Sequence, residues 1–327
     1  MPKPVHWGIM GTGAIARKFA SDLAALPDAR LFSVGSRSQA KADEFGREFQ
    51  LTRCYSSYED LVNDPEVEAI YVATPHSCHK DNTLLALSAK KPVLVEKPFA
   101  INAREADLVI RAAREKRLLV MEAMWTRFVP LYVRLREMLR EGTIGPIQSI
   151  RADFGFQSDA ATHPRLFDPS LGGGALLDVG VYPISLASMV LGSPLRVSGE
   201  ARMGATGVDE HNAMVFAHPR GELALLSCAI TLNTSLDAML IGERGSIWIH
   251  PPFWKSKAMT VTHGDGREEL LEFPFERNGY QFEAIEFMDC LRSGQIESTV
   301  MPLDESLSIM KTLDLLRKQW GLKYPMD

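Results

Sequence analysis

Val5-His6-Trp7-Gly8-Ile9-Met10-Gly11-Thr12-Gly13-Ala14-Ile15-Ala16 is the stretch on which the reading of the chain turns. Val5–Met10 is a short apolar run of strand type, and the spacing behind it predicts a helix over Ala14–Ala25. Between them stands Gly-x-Gly-x-x-Ala. The first glycine permits a tight turn, the second lets backbone approach a pyrophosphate, and the small third residue lets helix and strand pack closely. The helix start adds N–H groups and a positive dipole end for phosphates. Gly11, Thr12, Gly13, Ala14 and Ile15 are therefore candidate cofactor-binding residues. Without their flanking strand and helix, the same glycines would signify a turn and nothing more.

Working outward, short apolar runs alternate with helical segments as far as Met121. Strands are predicted at Val5–Met10, Leu31–Ser36, Ala69–Ala73, Pro92–Val95 and Leu118–Met121, and helices at Ala14–Ala25, Gln39–Phe49, Tyr58–Val62, Lys80–Ala89 and Ala103–Lys116. In the last of these, Ala106, Val109, Ile110 and Ala113 recur at helical spacing while Arg111, Arg114 and Glu115 face away. This alternation predicts a doubly wound parallel sheet of Rossmann type. Sites specific for NAD place Asp or Glu about 20 residues past the glycines, on the ribose 2′-hydroxyl. Here the second strand ends in Gly35-Ser36-Arg37-Ser38, without a carboxylate. A guanidinium pairs with a 2′-phosphate and stacks on adenine. Ser36 adds a donor and Lys41 lies one turn on, so NADP(H) is expected over NAD(H). The alternative is that Arg37 is a solvated surface residue.

After Trp125 the texture changes. A helix around Val129–Glu141 ends at Gly142, and β-rich segments follow at Ile147–Phe156, Leu195–Met203, Glu210–Phe216, Glu222–Thr231, Asp237–Gly242, Gly245–Ile249, Ala258–His263 and Glu268–Phe273. A helix near Gly174–Leu191 interrupts them, and two more, Tyr280–Ser293 and Leu303–Trp320, close the chain. The fold class expected is α/β, with an α+β second domain built on a large, mainly antiparallel open sheet. The expected limits are 1–122 for the nucleotide domain and 123–302 for the substrate and oligomerisation domain. The helix in 303–327 is expected to pack back on the N-terminal domain.

Composition bounds the partners. At 327 residues two domains are expected, and 46% hydrophobic with 24% charged residues is ordinary globular usage. A formal charge of −5, spread along the chain, points away from nucleic acid and toward a small molecule. Cys54, Cys78, Cys228 and Cys290 are widely spaced, which fits reduced thiols in a cytoplasm. No leader and no bilayer-spanning stretch is expected.

Glu96-Lys97-Pro98 ends the fourth predicted strand, at the edge where ligands bind in open α/β sheets. A partly desolvated ammonium there polarises a substrate oxygen and lowers the pKa of a neighbouring acid or base. Taken alone, a lysine at a strand end is more often a surface residue. Its context is Ala73-Thr74-Pro75-His76-Ser77-Cys78-His79 followed by Lys91-Pro92-Val93-Leu94-Val95-Glu96-Lys97-Pro98, which resembles the glucose-fructose oxidoreductase / inositol dehydrogenase family. Met121-Glu122-Ala123-Met124-Trp125-Thr126-Arg127-Phe128 and Gly172-Gly173-Gly174-Ala175-Leu176-Leu177-Asp178-Val179-Gly180-Val181-Tyr182-Pro183 resemble its branch of dihydrodiol and D-xylose dehydrogenases.

The resemblance implies a nucleotide domain followed by an open sheet that carries substrate residues and often mediates dimerisation, hence a homodimer. It implies Lys97 as the catalytic lysine and Tyr182 as the general acid/base, where sugar-alcohol dehydrogenases of the wider family carry His. Asp178 lies four residues earlier, on the same helical face, to orient Lys97 or Tyr182. Trp125 shapes the nicotinamide pocket, Arg165 is a substrate or cofactor candidate, and Tyr280 starts a helix that returns toward the cofactor. Thr74, Pro75, His76, His79 and Glu96 are read as cofactor-side residues. His76 and His79 at i, i+3 also suit a metal site, but a third ligand is not placed by the sequence and hydride transfer needs none. His163 is read equally as a substrate contact or an exposed loop residue, and Met121, Met124, Phe154 and Phe156 as core or sheet face. The expected chemistry is hydride transfer from a secondary alcohol, a cyclic diol or an aldose hydroxyl to nicotinamide C4, or its reverse from a dicarbonyl, with Tyr182 exchanging the proton and Lys97 stabilising the tyrosinate. Two alternatives are a glycosidase relative that oxidises transiently and a non-catalytic NADP(H)-binding sensor.

Overall fold

The computed structural model describes residues 3–327. The first strands and helices are β1 (Val5–Met10), α1 (Ala14–Leu23), β2 (Ala29–Gly35), α2 (Gln39–Phe49), β3 (Arg53–Tyr55), α3 (Tyr58–Asn63), β4 (Ala69–Val72), α4 (His79–Ser88), β5 (Val93–Glu96), α5 (Ala103–Lys116) and β6 (Val120–Ala123). Their sheet has the order β3-β2-β1-β4-β5-β6, every pair parallel. The chain winds outward from β1 to β3 and then crosses back to β4, which makes the carboxyl ends of β1 and β4 the switch point where such sheets bind ligands. β3 has no apolar run by which to predict it. Polar bonds hold this edge strand: Arg53 pairs with Asp64 at 2.6 Å, and the Tyr55 hydroxyl donates to Asp64 at 2.8 Å. In α5 the residues turned inward are the predicted ones together with Glu105, whose backbone N–H is capped by Asn102.

Next come α6 (Pro130–Glu141), β7 (Ile147–Gly155), α7 (Val181–Leu191), β8 (Arg196–Met203), β9 (Asp209–Ala217), β10 (Leu223–Ala229), β11 (Ala238–Gly242), β12 (Gly245–Ile249), β13 (Ala258–His263), β14 (Glu268–Glu272), α8 (Gln281–Arg292) and α9 (Leu303–Trp320). The second sheet runs β14-β13-β12-β11-β7-β10-β9-β8, antiparallel except for the β7–β10 pair. One face buries Ile150, Ala152, Phe154, Met214, Phe216, Ala224 and Leu226. The opposite face carries Val215, Leu225, Arg151, Met239, Trp248, Thr260 and Leu270 in a single register row. Contrary to the sequence expectation, one segment, Pro169–Leu191, is long and apolar enough to cross a membrane. Within it, 83% of the apolar window is buried inside the fold, as in the core helix of a globular unit.

The division of the chain also departs from the expected limits. One compact unit combines Met1–Trp125 with Glu276–Leu307, and the other Thr126–Phe275 with Ser308–Asp327. The helix that returns to the first unit is α8, not the end of α9. Asp22, fully buried on α1, accepts hydrogen bonds from Asn278 N and Nδ2 and from Tyr280 N, and so holds the start of α8. The end of α9 bonds instead to β8, through Gln319 to Val197 O and Trp320 to Gly199 O. Asp22→Ala removes the acceptor of three N–H groups, of which Tyr280 N is buried while those of the exposed Asn278 can turn to water, and should lower unfolding free energy by about 1–2 kcal/mol in urea titrations.

Candidate active site

Gly11 follows β1 with φ +111°, and a Cβ there would lie 2.7 Å from the Ala73 carbonyl oxygen. Only glycine fits so close a passage. A Cβ at Gly13 would meet nothing within 4 Å. Gly13 is also the N-cap of the ten-residue α1, whose first turn has neither a side-chain cap nor an acidic residue. Thr12 and Ile15 are half-buried beside it and Ala14 is exposed. An open space facing uncapped helix amides fits a pyrophosphate. At the end of β2, Ser36 is buried and accepts from Ser38 N at 3.3 Å, while Arg37 and Lys41 are exposed. The Arg37 guanidinium stands beside the Tyr58 phenol, which burial pushes up and Arg37 draws back.

His79 ties the ends of β4 and β5 together. Its Nδ1 lies 2.8 Å from Pro98 O and its Nε2 2.9 Å from Thr74 O, and Asn82 donates to the Thr74 hydroxyl at 2.9 Å. Both imidazole nitrogens of His79 are thus turned to backbone carbonyls, the loop role expected of it; the His76 ring stands against it, centroids 5.6 Å apart. Pro75 is half-buried in this loop. Lys97 is half-buried directly after β5, and its backbone N–H donates to Glu96 at 3.2 Å.

Beneath Lys97 lies a group of buried acids that sequence reading missed. The Tyr71 hydroxyl donates to the Glu96 carboxylate, and burial together with Glu96 and Glu283 pushes the Tyr71 phenol well up. Glu283 on α8 is fully buried, and neither of its oxygens has a hydrogen-bond partner among the described residues. Burial and the carboxylates of Glu96 and Asp22 push it far above the usual carboxylate range. Residues 22, 71, 96 and 283 share no local pattern, so no spacing signal links them. Trp125 packs on Tyr280, centroids 4.6 Å apart.

The second unit assembles the other candidates. Arg165 donates to Asp178 at 2.8 Å, so two residues read separately form one ion pair, with Asp178 largely buried and Arg165 about half exposed. Asp178 sits in a π-helical turn, Leu176–Gly180, that runs into α7 and Tyr182. Such turns recur at functional sites. Tyr182 is 8% exposed and lies 5.4 Å from Phe154, which stacks on Trp254 at 3.5 Å with the rings 10° apart. Phe154 therefore belongs to the surroundings of Tyr182 as well as to the core. Trp254 comes from a short helical turn after β12 that alternation did not flag. Arg127, buried, anchors α7 by donating to Ser185 Oγ at 3.0 Å and to its carbonyl at 2.8 Å. His163 is exposed and bonds Ser158 at 2.9 Å within its own loop.

A parallel sheet with an anion-ready helix at its switch point places the chain among dinucleotide-binding proteins. Residues 5–124 match the model described as an oxidoreductase family with an NAD-binding Rossmann fold, and residues 132–248 match the GFO/IDH/MocA C-terminal domain. The chain belongs to this glucose-fructose oxidoreductase / inositol dehydrogenase family. The trans-1,2-dihydrobenzene-1,2-diol dehydrogenase of Mus musculus is 36% identical over 335 residues, covering 99% of both proteins. The D-xylose 1-dehydrogenase (NADP(+)) of Hypocrea jecorina is 33% identical over 99% of this chain and 94% of its own length. Among solved structures, a 3-ketoreductase from Actinomadura kijaniata, in complex with NADP and TDP-benzene, superposes with a TM-score of 0.87 at 27% identity, over 97% of this chain and 98% of that one.

The glycine loop gives a direct test. Gly11→Ala must move the Ala73 carbonyl or abandon its φ, and should weaken NADPH binding at least about tenfold by fluorescence titration.

Proposed function

We propose that the protein is an NADP(H)-dependent dehydrogenase or reductase that moves a hydride between nicotinamide C4 and the CH–OH or C=O carbon of a small sugar, cyclic diol or dicarbonyl. The observation that carries this reading is the pairing of Tyr182 with a stacked Phe154–Trp254 wall and with the Arg165–Asp178 ion pair one turn earlier. An aromatic wall takes the C–H face of a ring, and polar groups beside it orient hydroxyls. The names of the mouse and Hypocrea relatives, a diol and a sugar dehydrogenase, support the same class. When bound, the nicotinamide supplies the hydride acceptor in oxidation and the donor in reduction.

This chain's residues do the rest. Gly11, Thr12, Gly13, Ala14 and Ile15 seat the pyrophosphate on α1, and Ser36, Arg37 and Lys41 receive the 2′-phosphate. Thr74, Pro75, His76, His79 and Glu96 shape the loop ends that support the nicotinamide, and Trp125 with Tyr280 bounds it. With the cofactor bound, Tyr182 would take the substrate's hydroxyl proton as its C–H bond breaks in oxidation, and in reduction would return a proton to the carbonyl oxygen. A phenol titrates at about 10 in water, so a cation would favour its ionised form, the role that the family resemblance gives to Lys97. Asp178, held by Arg165, fixes the turn preceding Tyr182.

Lys97→Met and Tyr182→Phe should each lower kcat about 10²–10⁴-fold while the NADPH dissociation constant stays within about twofold. Arg37→Ala should raise that constant about tenfold and leave NADH binding alone. Full turnover in Lys97→Met sinks the assignment. Tight NADPH binding with no turnover of any aldose, diol or dicarbonyl moves the weight to the sensor reading.

We also propose a homodimer formed through the open face of the second sheet, where Val215, Leu225, Trp248 and Leu270 are exposed along one row. A row of exposed apolar residues interrupted only by Arg151 and Thr260 fits an interaction surface. Sedimentation should give a dimer that Leu225→Glu with Trp248→Glu converts to monomer, and a wild-type monomer at micromolar concentration overturns it.

A further inference from the structure

The turn that precedes the helix of Asp178 and Tyr182 is held from below. Gly172 and Gly174 have φ of +73° and +110°. Gly173 N donates to Asp168 O at 3.0 Å, Gly174 N to Leu166 O at 2.8 Å, and the Tyr324 hydroxyl donates to Gly173 O at 2.6 Å. Against this turn lies Asp209, the first residue of β9, with no exposed surface. Its Oδ2 accepts from Leu176 N at 2.7 Å and from Asn212 Nδ2 at 2.8 Å. Its Oδ1 faces Gly174, where a Cβ would stand 2.3 Å away, and has no hydrogen-bond partner among the described residues. Leu176 opens the π turn, so Asp209 supplies from a neighbouring strand the acceptor that a helix start lacks.

Building on the role proposed for Tyr182, we propose that Asp209 is a positioning residue: its carboxylate holds the Leu176 amide, and through it Asp178 and Tyr182, and its charge state sets how firmly they are held. Burial pushes the Asp209 carboxyl up to about 7, against the pull of Leu176 N–H, Asn212 and Arg317. The groups around it are Arg317 on α9, already paired with Asp314 and Asp327, the Cys228 thiol on β10, the Tyr324 phenol after α9, and Asp178 on the helix itself. An ionised carboxylate accepts from an N–H more strongly than a neutral acid. Above neutrality, then, Asp209 grips the turn; below it, the grip relaxes.

Stability runs the other way. A carboxyl raised in the fold stabilises the protein as the neutral acid, fully below its unfolded value near 3.8, and that contribution is lost as pH rises through about 7. Asp209→Asn keeps the acceptor and never ionises. Above pH 7 it should therefore be at least as heat-stable as wild type and yet slower, a divergence that a purely structural aspartate cannot produce.

The experiment measures kcat of wild type and Asp209→Asn from pH 5.5 to 8.5 at saturating NADP(H). Taking the ratio cancels the pH dependence of the chemical step. It should be near one below pH 6 and rise to about three- to tenfold by pH 8, with unchanged NADPH affinity. Asn212→Ala removes one donor and should move the midpoint of the wild-type rise upward, which provides a reading if Asp209→Asn folds poorly. A ratio flat in pH, or an unmoved midpoint, overturns the proposal. Hydrogen exchange of peptides spanning 174–182 separates this from the catalytic reading: faster exchange in Asp209→Asn at pH 8 supports the grip even where no substrate is turned over, and equal exchange overturns it.

Discussion

The approach of Gly11 to the Ala73 carbonyl sets the geometry of the nucleotide end. A backbone that passes there without a side chain brings the end of β1 against the end of β4, with Gly11 N also donating to Gly35 O on β2. Three strand ends meet at that glycine. From it follow the direction of α1, whose amides face open space, and the place of the Thr74–His79 loop, which His79 fastens to the turn after β5. Lys97 follows β5 directly, beside the Pro98 carbonyl that His79 holds.

Buried carboxyls organise both units, and they do so in two ways. Asp22 is surrounded by donors and acts as a cap for α8. Glu283 has no hydrogen-bond partner among the described residues, and burial with the nearby Glu96 and Asp22 pushes its carboxyl far up. Asp209 stands between these limits, with one oxygen satisfied and the other idle. A charge without partners in a protein interior is costly enough that neutralisation is the usual response. Which response each acid makes follows from counting the N–H groups within its reach.

Most of the fold was legible because it rests on local periodicity. β1, β12, β13, α2, α5 and α9 have the limits that spacing predicts, and the other predicted elements differ by one or two residues at their ends, except α7, which begins at Val181 behind the π turn and not near Gly174. β3 was hidden because three residues at a polar edge carry no alternation. The limits of the units were hidden for a different reason: the bonds that assign α8 and the end of α9 join residues more than a hundred positions apart. The glycine loop was nominated from its own pattern, and Lys97 and Tyr182, with Asp178 beside it, from contiguous strings that resemble the family. The Arg165–Asp178 pairing, the Trp254 wall and the acids beneath Glu96 are products of tertiary proximity, which no spacing rule encodes.

The Asp22 cap has a consequence for the way the chain is made. Its donors on Asn278 lie 256 residues downstream. At about 5–20 residues per second, the nascent nucleotide unit spends on the order of tens of seconds with that carboxylate uncovered. The strands and crossover helices up to Ala123 are made long before, yet the side of α1 that meets α8 stays open until residues 281–292 have been made. The nucleotide sheet thus receives one of its own helices only after every strand of the second sheet has been made.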